Sequence, residues 1–395
     1  MPMLDAALSA ALDALDARSL RRTVQPGEGG PGGTLRRGDR VLLNLSGNDY
    51  LGLGRHPLLA ERAAEWGRRW GTGAGASRLV TGTLPPHRRI EDRLAVLKRR
   101  EAALLFASGW QLNAAVLPAL LALPGEPHPP VVFADRLIHA SLHHGLRAAN
   151  VRQHRFAHND LDHLSTLLHR TRDLPGRRWI ITESVFSMDG DRADLPALRR
   201  LADEYGAVLF VDEAHATGVL GPGGAGLSVA AADAGAGPPD IVMGTLSKAL
   251  GGFGAFLAGS RLLCDWIANT CSGFIHTTAL PPTVLGAVDA ALDLLPGLDD
   301  DRARLQSGAE GLRDRLRAGG IDVGTSSTQI VPVLLGSPDR AVRVSAALAA
   351  DGILATAIRP PTVPPNGSRL RLALGSAHPP EAIDRVADAV IRHAG

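Results

Sequence analysis

AVLFVDEAHATG, residues 207–218, begins as an unbroken apolar run and ends in an acidic pair, a histidine and a glycine. Such a run fits a strand buried on both faces, and Asp212 and Glu213 mark where it emerges. Three other runs share the form: PVVFAD (130–135), RWIITES (178–184) and DIVMGT (240–245), each ending at a polar residue. Between them lie amphipathic stretches such as DLPALRRLADEYG (194–206), with Pro196 near the helix start and Gly206 past its end. This alternation predicts an α/β domain built on a large, mostly parallel sheet. Ligands of such sheets bind outside the carboxyl ends of the strands, where Asp212, Glu213 and Thr245 fall.

Outward from that centre, residues 46–285 read as the major domain. Residues 1–45 read as a helical arm and the strand DRVLLNLSG, which runs just past that boundary. From residue 286 the pattern changes: a long helix-like segment over 283–320 leads to TQIVPVLLG, a helix, ATAIRPPTVP and RLRLALG. That order predicts a smaller α+β domain over 286–395. A hydrophobic fraction of 45%, a charged fraction of 21% and a net charge of +2 describe a soluble globular protein, with no basic block for nucleic acid. Cys264 and Cys271 lack metal-motif spacing, and a reducing cytoplasm fits two unpaired thiols. Asp5, Asp13 and Asp16 argue against a targeting role for the first helical segment. LNAAVLPALLALPG, the longest apolar run, is too short for a membrane.

Among 42 Lys and Arg residues only Lys98 and Lys248 are lysine. Lys98, in LAVLKRRE, reads as the exposed face of a helix, interchangeable with arginine. Lys248, in GTLSKALGG (244–252), sits among small and apolar neighbours. A guanidinium holds its proton to above pH ~12, whereas a primary amine can lose it and condense with an aldehyde. On this fragment alone a solvated lysine and a Schiff-base lysine are equally good readings.

The other motifs divide in the same way. Asp212 fits a turn-capping aspartate or a carboxylate that keeps a pyridinium nitrogen protonated, and it lies one crossover before Lys248. In IHASLHHG, His139 and His143 have metal-pair spacing. Ala140 stands where a zincin carries glutamate, however, and no third ligand is evident. Packing and surface roles suit His143 and His144, while His139 follows a strand and turn where its ring could lie over a planar cofactor. GTGAGAS (71–77) matches a dinucleotide-binding spacing, but a helix-like stretch precedes it instead of a strand, so that reading is rejected. Ser108, Gly109, Trp110, Thr245 and Ser247 are placed as small donors for phosphate or as turn formers. Arg359, ahead of two prolines, is a surface arginine or a fork for a carboxylate.

Taken in order, LSGNDYLGLGRHP, SRLVTG, SGWQLN, FADRLIHAS, ESVFSMDGDRADL, VDEAHATGVLG, TLSKALGG and HTTALPP resemble the pyridoxal-phosphate-dependent α-oxoamine synthases over nearly the whole chain. That resemblance implies a fold-type I transferase that binds pyridoxal 5'-phosphate (PLP) in a homodimer with shared active sites. It implies Lys248 as the Schiff-base lysine, Asp212 on the ring nitrogen, His215 at the ring hydroxyl and His139 stacked on the ring. Ser187 lies near the hydroxyl side, and Gly109, Trp110 and Thr245 hold the phosphate. Thr277 or Thr278 reaches the phosphate of the neighbouring subunit. Asn48 and Arg359 match positions for the substrate carboxylate, with Thr362 and, near the acyl substrate, Arg21 as further substrate positions. Trp110 stands where Phe or Tyr is usual, and Ala216 where Gly or Ser is usual. RFAHNDLDHL and AIRPPTVP resemble the biotin-pathway members, which join L-alanine to a pimeloyl thioester of CoA or a carrier protein. A member that uses glycine or serine with another acyl-CoA is the alternative.

Overall fold

The computed structural model describes residues 3–395. They form two compact units, one of residues 51–187 and 192–302, the other of 3–50, 188–191 and 303–395. These divisions differ from boundaries at 45 and 285. Pro282–Leu294 packs on Pro57–Trp70 and so stays with the large unit. Ile353–Leu354 pairs in parallel with Arg40–Asn44, which draws the amino-terminal strands into the smaller unit.

The large unit is organised around a seven-stranded sheet. Its order is Ala102–Phe106, Ala255–Gly259, Ile241–Thr245, Ala207–Asp212, Arg178–Glu183, Val131–Asp135 and Gln153–Phe156. Neighbours pair in parallel except that Ala255–Gly259 runs antiparallel to both strands beside it. The apolar runs become strands because both faces are covered: Phe133, Ile180, Leu209, Phe210 and Leu257 are fully buried. Asp135, Glu183, Asp212 and Thr245 are the last residues of their strands, so parallel alignment brings their polar groups to one edge.

Helices begin where the sequence supplies an acceptor. Asp194 caps Leu195–Glu204 through the Ala197 N–H, and Ser108 caps Gly109–Leu121 through the Gln111 N–H at 3.1 Å. The helix-like segment over 283–320 is two helices, Pro282–Leu294 and Asp299–Ala318. A 3-10 turn at Leu295–Gly297 separates them, because Pro296 has no N–H to continue the first. No helix among the described residues is long and apolar enough to cross a membrane.

In the smaller unit, Ile330–Gly336 and Ala357–Ile358 flank Ser368–Ala373 in an antiparallel sheet. A second sheet holds Glu28–Gly29, Thr34–Arg37, Arg40–Asn44 and Ile353–Leu354. Leu45 links the two, accepting from the Ala373 N–H and donating to the Leu354 carbonyl.

Lys98 overturns its sequence reading. It follows Pro85–Leu97 directly, but its side chain is turned inward with no exposure, against an equally buried Glu213. A heavily arginine-substituted surface made this residue look like part of the same solvated face.

His87 is another buried titratable group. It accepts from the Leu84 N–H and pairs with the Leu280 carbonyl at 3.0 Å. Burial, with the charge of Arg78, pushes its pKa from 6.5 down to about 4. Folding therefore excludes a proton that the unfolded chain binds below about pH 6.5. Its contribution is intact above that pH, and stability declines as pH falls from 6.5 towards 4. Thermal melts of the wild type should show this loss, and His87→Gln should flatten that part of the profile.

Candidate active site

The carboxyl edge of the large sheet gathers the ionisable groups. Asp212 ends its strand almost fully buried, its Oδ1 accepting from the Ala214 N–H at 2.9 Å. Its Oδ2 accepts from Asn113 Nδ2 at 2.9 Å. The same Nδ2 donates to Ser141 Oγ at 3.0 Å, and that hydroxyl meets His139 Nδ1 at 2.7 Å. One amide thus connects Asp212 and His139. The Ser141 N–H also donates to His139 Nδ1, which leaves the proton of a neutral ring on Nε2.

The turn after Asp212 carries His215, and Nε2 of its ring lies 3.0 Å from Lys248 Nζ. Both side chains are held on short segments. Ala216 and Thr217 donate to the Glu213 carbonyl, and Gly251 donates to the Lys248 carbonyl. Gly218, with φ +87°, packs against Ala249; a Cβ there would come within 2.7 Å of the Ala249 Cβ. The His215 turn and the Lys248 turn therefore touch directly.

Electrostatics divide the edge. His139 is open to solvent on one side yet set deep among protein atoms, so desolvation dominates and lowers its pKa below the usual imidazole range. Asp212 opposes that shift and Lys248 adds to it. Glu183 is fully enclosed: burial, then the Asp212 charge, raise its pKa well above the carboxylate norm, with Lys248 pulling the other way. The His139 N–H donates to Glu183 Oε1. At neutral pH this places a neutral imidazole beside buried carboxyl groups and the Lys248 amine.

Gly109 and Trp110 open a helix of 13 residues that starts just past Phe106, the last residue of the strand Ala102–Phe106. Trp110 is half exposed, its ring edge-on to His139 at 6.1 Å. Thr245 Oγ1 meets Ser247 Oγ at 2.7 Å and donates to the Gly254 carbonyl. Thr277 Oγ1 accepts from Gln111 Nε2 at 2.8 Å, within the same chain, whereas Thr278 is exposed and bridges to Ser77. Ser187 is half-buried, one residue beyond the fully enclosed Phe186.

The remaining sequence candidates belong to the smaller unit. Asn48 Oδ1 accepts from the Tyr50 hydroxyl at 3.1 Å, and that hydroxyl accepts from Arg371 at the same distance. Arg359 donates to the carbonyls of Ser19 and Arg21, and a cis bond joins Pro360 to Pro361. Arg21 pairs through its side chain with Asp16 at 2.6 Å, and Thr362 is exposed. Arg359 is thereby tied to the backbone beside Arg21. Sequence reasoning missed Asn113, Ser141 and Glu183. Asn113 and Glu183 lie inside SGWQLN and ESVFSMDG, where an uncharged amide and a strand-end acid carry no local signal of their own.

Residues 40–390 match the family model for aminotransferase class I and II. The chain is 58% identical to the 8-amino-7-oxononanoate synthase of Gluconacetobacter diazotrophicus, over 99% of this chain and 97% of that one. The chain belongs to the class I and II aminotransferase family. Another relative of this family member, the 8-amino-7-oxononanoate synthase of Anaeromyxobacter dehalogenans, is 44% identical over 95% of this chain and 92% of its own length. Among solved structures, a serine palmitoyltransferase from S. paucimobilis with a bound PLP–myriocin adduct superposes with a TM-score of 0.89. It is 27% identical and covers 100% of this chain and 98% of its own. The 8-amino-7-oxononanoate synthase of Francisella tularensis superposes with a TM-score of 0.76 at 26% identity, covering 89% of this chain and 97% of its own. The aminotransferase-family fold is the fold-type I arrangement expected from the motifs.

Asn113 holds two partners with one amide, so its removal strands a buried carboxylate oxygen and a buried hydroxyl. Asn113→Ala should cost about 1–3 kcal/mol of stability, read by urea denaturation, because a lost donor leaves desolvated acceptors unpaired.

Proposed function

We propose that this chain is a PLP-dependent acyltransferase of biotin biosynthesis, joining L-alanine to a pimeloyl thioester to give 8-amino-7-oxononanoate, CO2 and the free thiol. The contact between Lys248 Nζ and His215 Nε2, on the same sheet edge as buried Asp212, carries this reading. The relatives, named 8-amino-7-oxononanoate synthases and similar over nearly their full length, support it.

The residues present fit the cofactor. A buried carboxylate suits a protonated ring nitrogen, a helix amino terminus suits a phosphate, and a lysine amine suits an aldehyde. Asn113 Oδ1 is buried without a partner beside Asp212, so this edge retains an unused acceptor. At Gly109 a Cβ would stand 3.3 Å from Met243 Cε, so the glycine keeps that approach open. When bound, PLP supplies an aldehyde for amines and a ring that takes up the electron pair released at the substrate carbon.

The chain's own groups then divide the work. Lys248 Nζ would anchor the cofactor through its aldehyde and would also take the proton from the amino-acid Cα. His215 orients that amine and reaches the ring hydroxyl side, with Ser187 nearby. Asp212, its carboxylate fixed by Asn113, would hold the ring nitrogen in its protonated form, which would favour electron flow towards the ring. His139 covers one ring face. Gly109, Trp110 and Thr245 hold the phosphate, and exposed Thr278, with Thr277 as the alternative, serves a neighbouring copy in a homodimer. Asn48 and Arg359 receive the amino-acid carboxylate, Thr362 is a further substrate position, and Arg21 serves the acyl substrate. The amino-acid Cα would bond to the thioester carbonyl carbon as its C–S bond breaks and the thiol leaves; the bond from Cα to the carboxylate would then break to release CO2, and a proton would take its place. The enzyme works in the cytoplasm.

Lys248→Arg should retain the circular dichroism of the wild type and lose turnover at least 1,000-fold, since a guanidinium stays protonated and forms no such bond. An active arginine variant would refute the assignment. L-alanine, glycine and L-serine, each offered with pimeloyl-CoA, a pimeloyl carrier protein, acetyl-CoA and palmitoyl-CoA, should give product by mass spectrometry chiefly from alanine and a pimeloyl thioester. Preference for glycine or serine would reassign the chain to another α-oxoamine synthase.

A further inference from the structure

Lys98 is one of only two lysines in the chain, and no step above uses it. Its ammonium is enclosed and makes three bonds: to Glu213 Oε2 at 2.7 Å, Thr217 Oγ1 at 2.8 Å and the Ala225 carbonyl at 2.7 Å. All three of its donors are therefore used. Glu213 is equally saturated, taking the Ser228 N–H on Oε1 and the Ser228 hydroxyl on Oε2, each at 2.8 Å.

The location of this knot gives it meaning. Glu213 follows Asp212 directly, and Thr217 lies two residues after His215, so Lys98 grips both ends of the turn that presents the imidazole. The ammonium also stands 5.7 Å from the centre of the Phe256 ring. Phe256 fills the space left by Gly244, where a Cβ would fall 2.5 Å from the ring, one residue before Thr245. Gly226, at φ +100°, closes the other side; a Cβ there would come within 2.3 Å of Glu213 Oε2 and 2.7 Å of Lys98 Nζ. Nothing wider than hydrogen fits.

We propose that Lys98 is a positioning residue for the reaction, setting His215 against Lys248 and Asp212 in line through the buried Lys98–Glu213–Thr217 knot. The inference rests on the function proposed above. Three acceptors around one point suit a compact ammonium; a planar guanidinium, longer and forked, meets them poorly. Removing one member of a buried ion pair leaves an uncompensated charge, whereas removing both charges together costs far less.

The test compares the wild type with Lys98→Met, Lys98→Arg, Glu213→Gln and Lys98→Met/Glu213→Gln. Its readouts are kcat and KM for L-alanine, the affinity of the apoenzyme for PLP by fluorescence quenching, and the melting temperature. Lys98→Met should lower kcat at least tenfold with KM within about twofold, and weaken PLP binding at least fivefold. Lys98→Arg should resemble it, and the double variant should recover most of both losses. A lower melting temperature with unchanged kcat and PLP affinity would make the knot merely structural and overturn the proposal. Where Lys98→Met does not fold, Thr217→Val decides: removing that one acceptor should lower kcat at least threefold, and an unaltered kcat overturns the proposal. A wild type that neither binds PLP nor turns over alanine would instead defeat the functional reading beneath it.

Discussion

Charge burial at one sheet edge governs this molecule. Asp135, Glu183 and Asp212 end three adjacent strands, Glu213 follows, and none is more than 5% exposed. An ionised carboxylate withdrawn from water is costly unless matched by donors or an opposite charge. Each acid has a different answer. Asp135 accepts from the Leu137 and Asn159 N–H groups at 2.7 and 2.8 Å. Glu183 is driven towards its protonated form and accepts from the His139 N–H. Asp212 takes an amide and a backbone N–H, and Glu213 takes the one ammonium of the interior. The loops beyond the strands run where they do largely because they bring these partners.

A division of labour follows. Asp212 is left with hydrogen bonds alone, so its charge remains available to a cationic ligand. Glu213, one residue past the strand end, is instead paired with the buried Lys98 ammonium. The first is held by an amide and a backbone N–H, and the second is joined through Lys98 to Thr217 at the far end of the turn that carries His215.

Much of this could be read from the chain. The strands appeared because residues buried on both faces leave uninterrupted apolar runs, and Asp212, His215 and Lys248 stood out as ionisable groups where those runs end. Lys98 misled because its sequence neighbours, Arg99 and Arg100, are helix-end arginines; only the path of the chain after Leu97 turns the amine inward. Asn113 was hidden for a related reason. Its partners Ser141 and Asp212 are 28 and 99 residues away, and no local pattern encodes such a meeting. The break at Pro296 was written in the sequence, but a shared amphipathic pattern on both sides disguised it. The smaller unit's strands were visible, whereas its assembly from both ends of the chain depends on pairing between Arg40–Asn44 and Ile353–Leu354, which alternation alone cannot assign.

The scarcity of lysine has a chemical corollary. An aldehyde cofactor reacts with any accessible primary amine, and a lysine-studded surface offers it many idle resting places. Here the lysine amines number two, and one is locked in a buried cage with all its donors engaged. Arginine supplies the surface charge without that reactivity. That leaves Lys248 as the one lysine amine outside the cage, so the composition of the whole chain narrows the choice of amine as much as the shape of one cleft does.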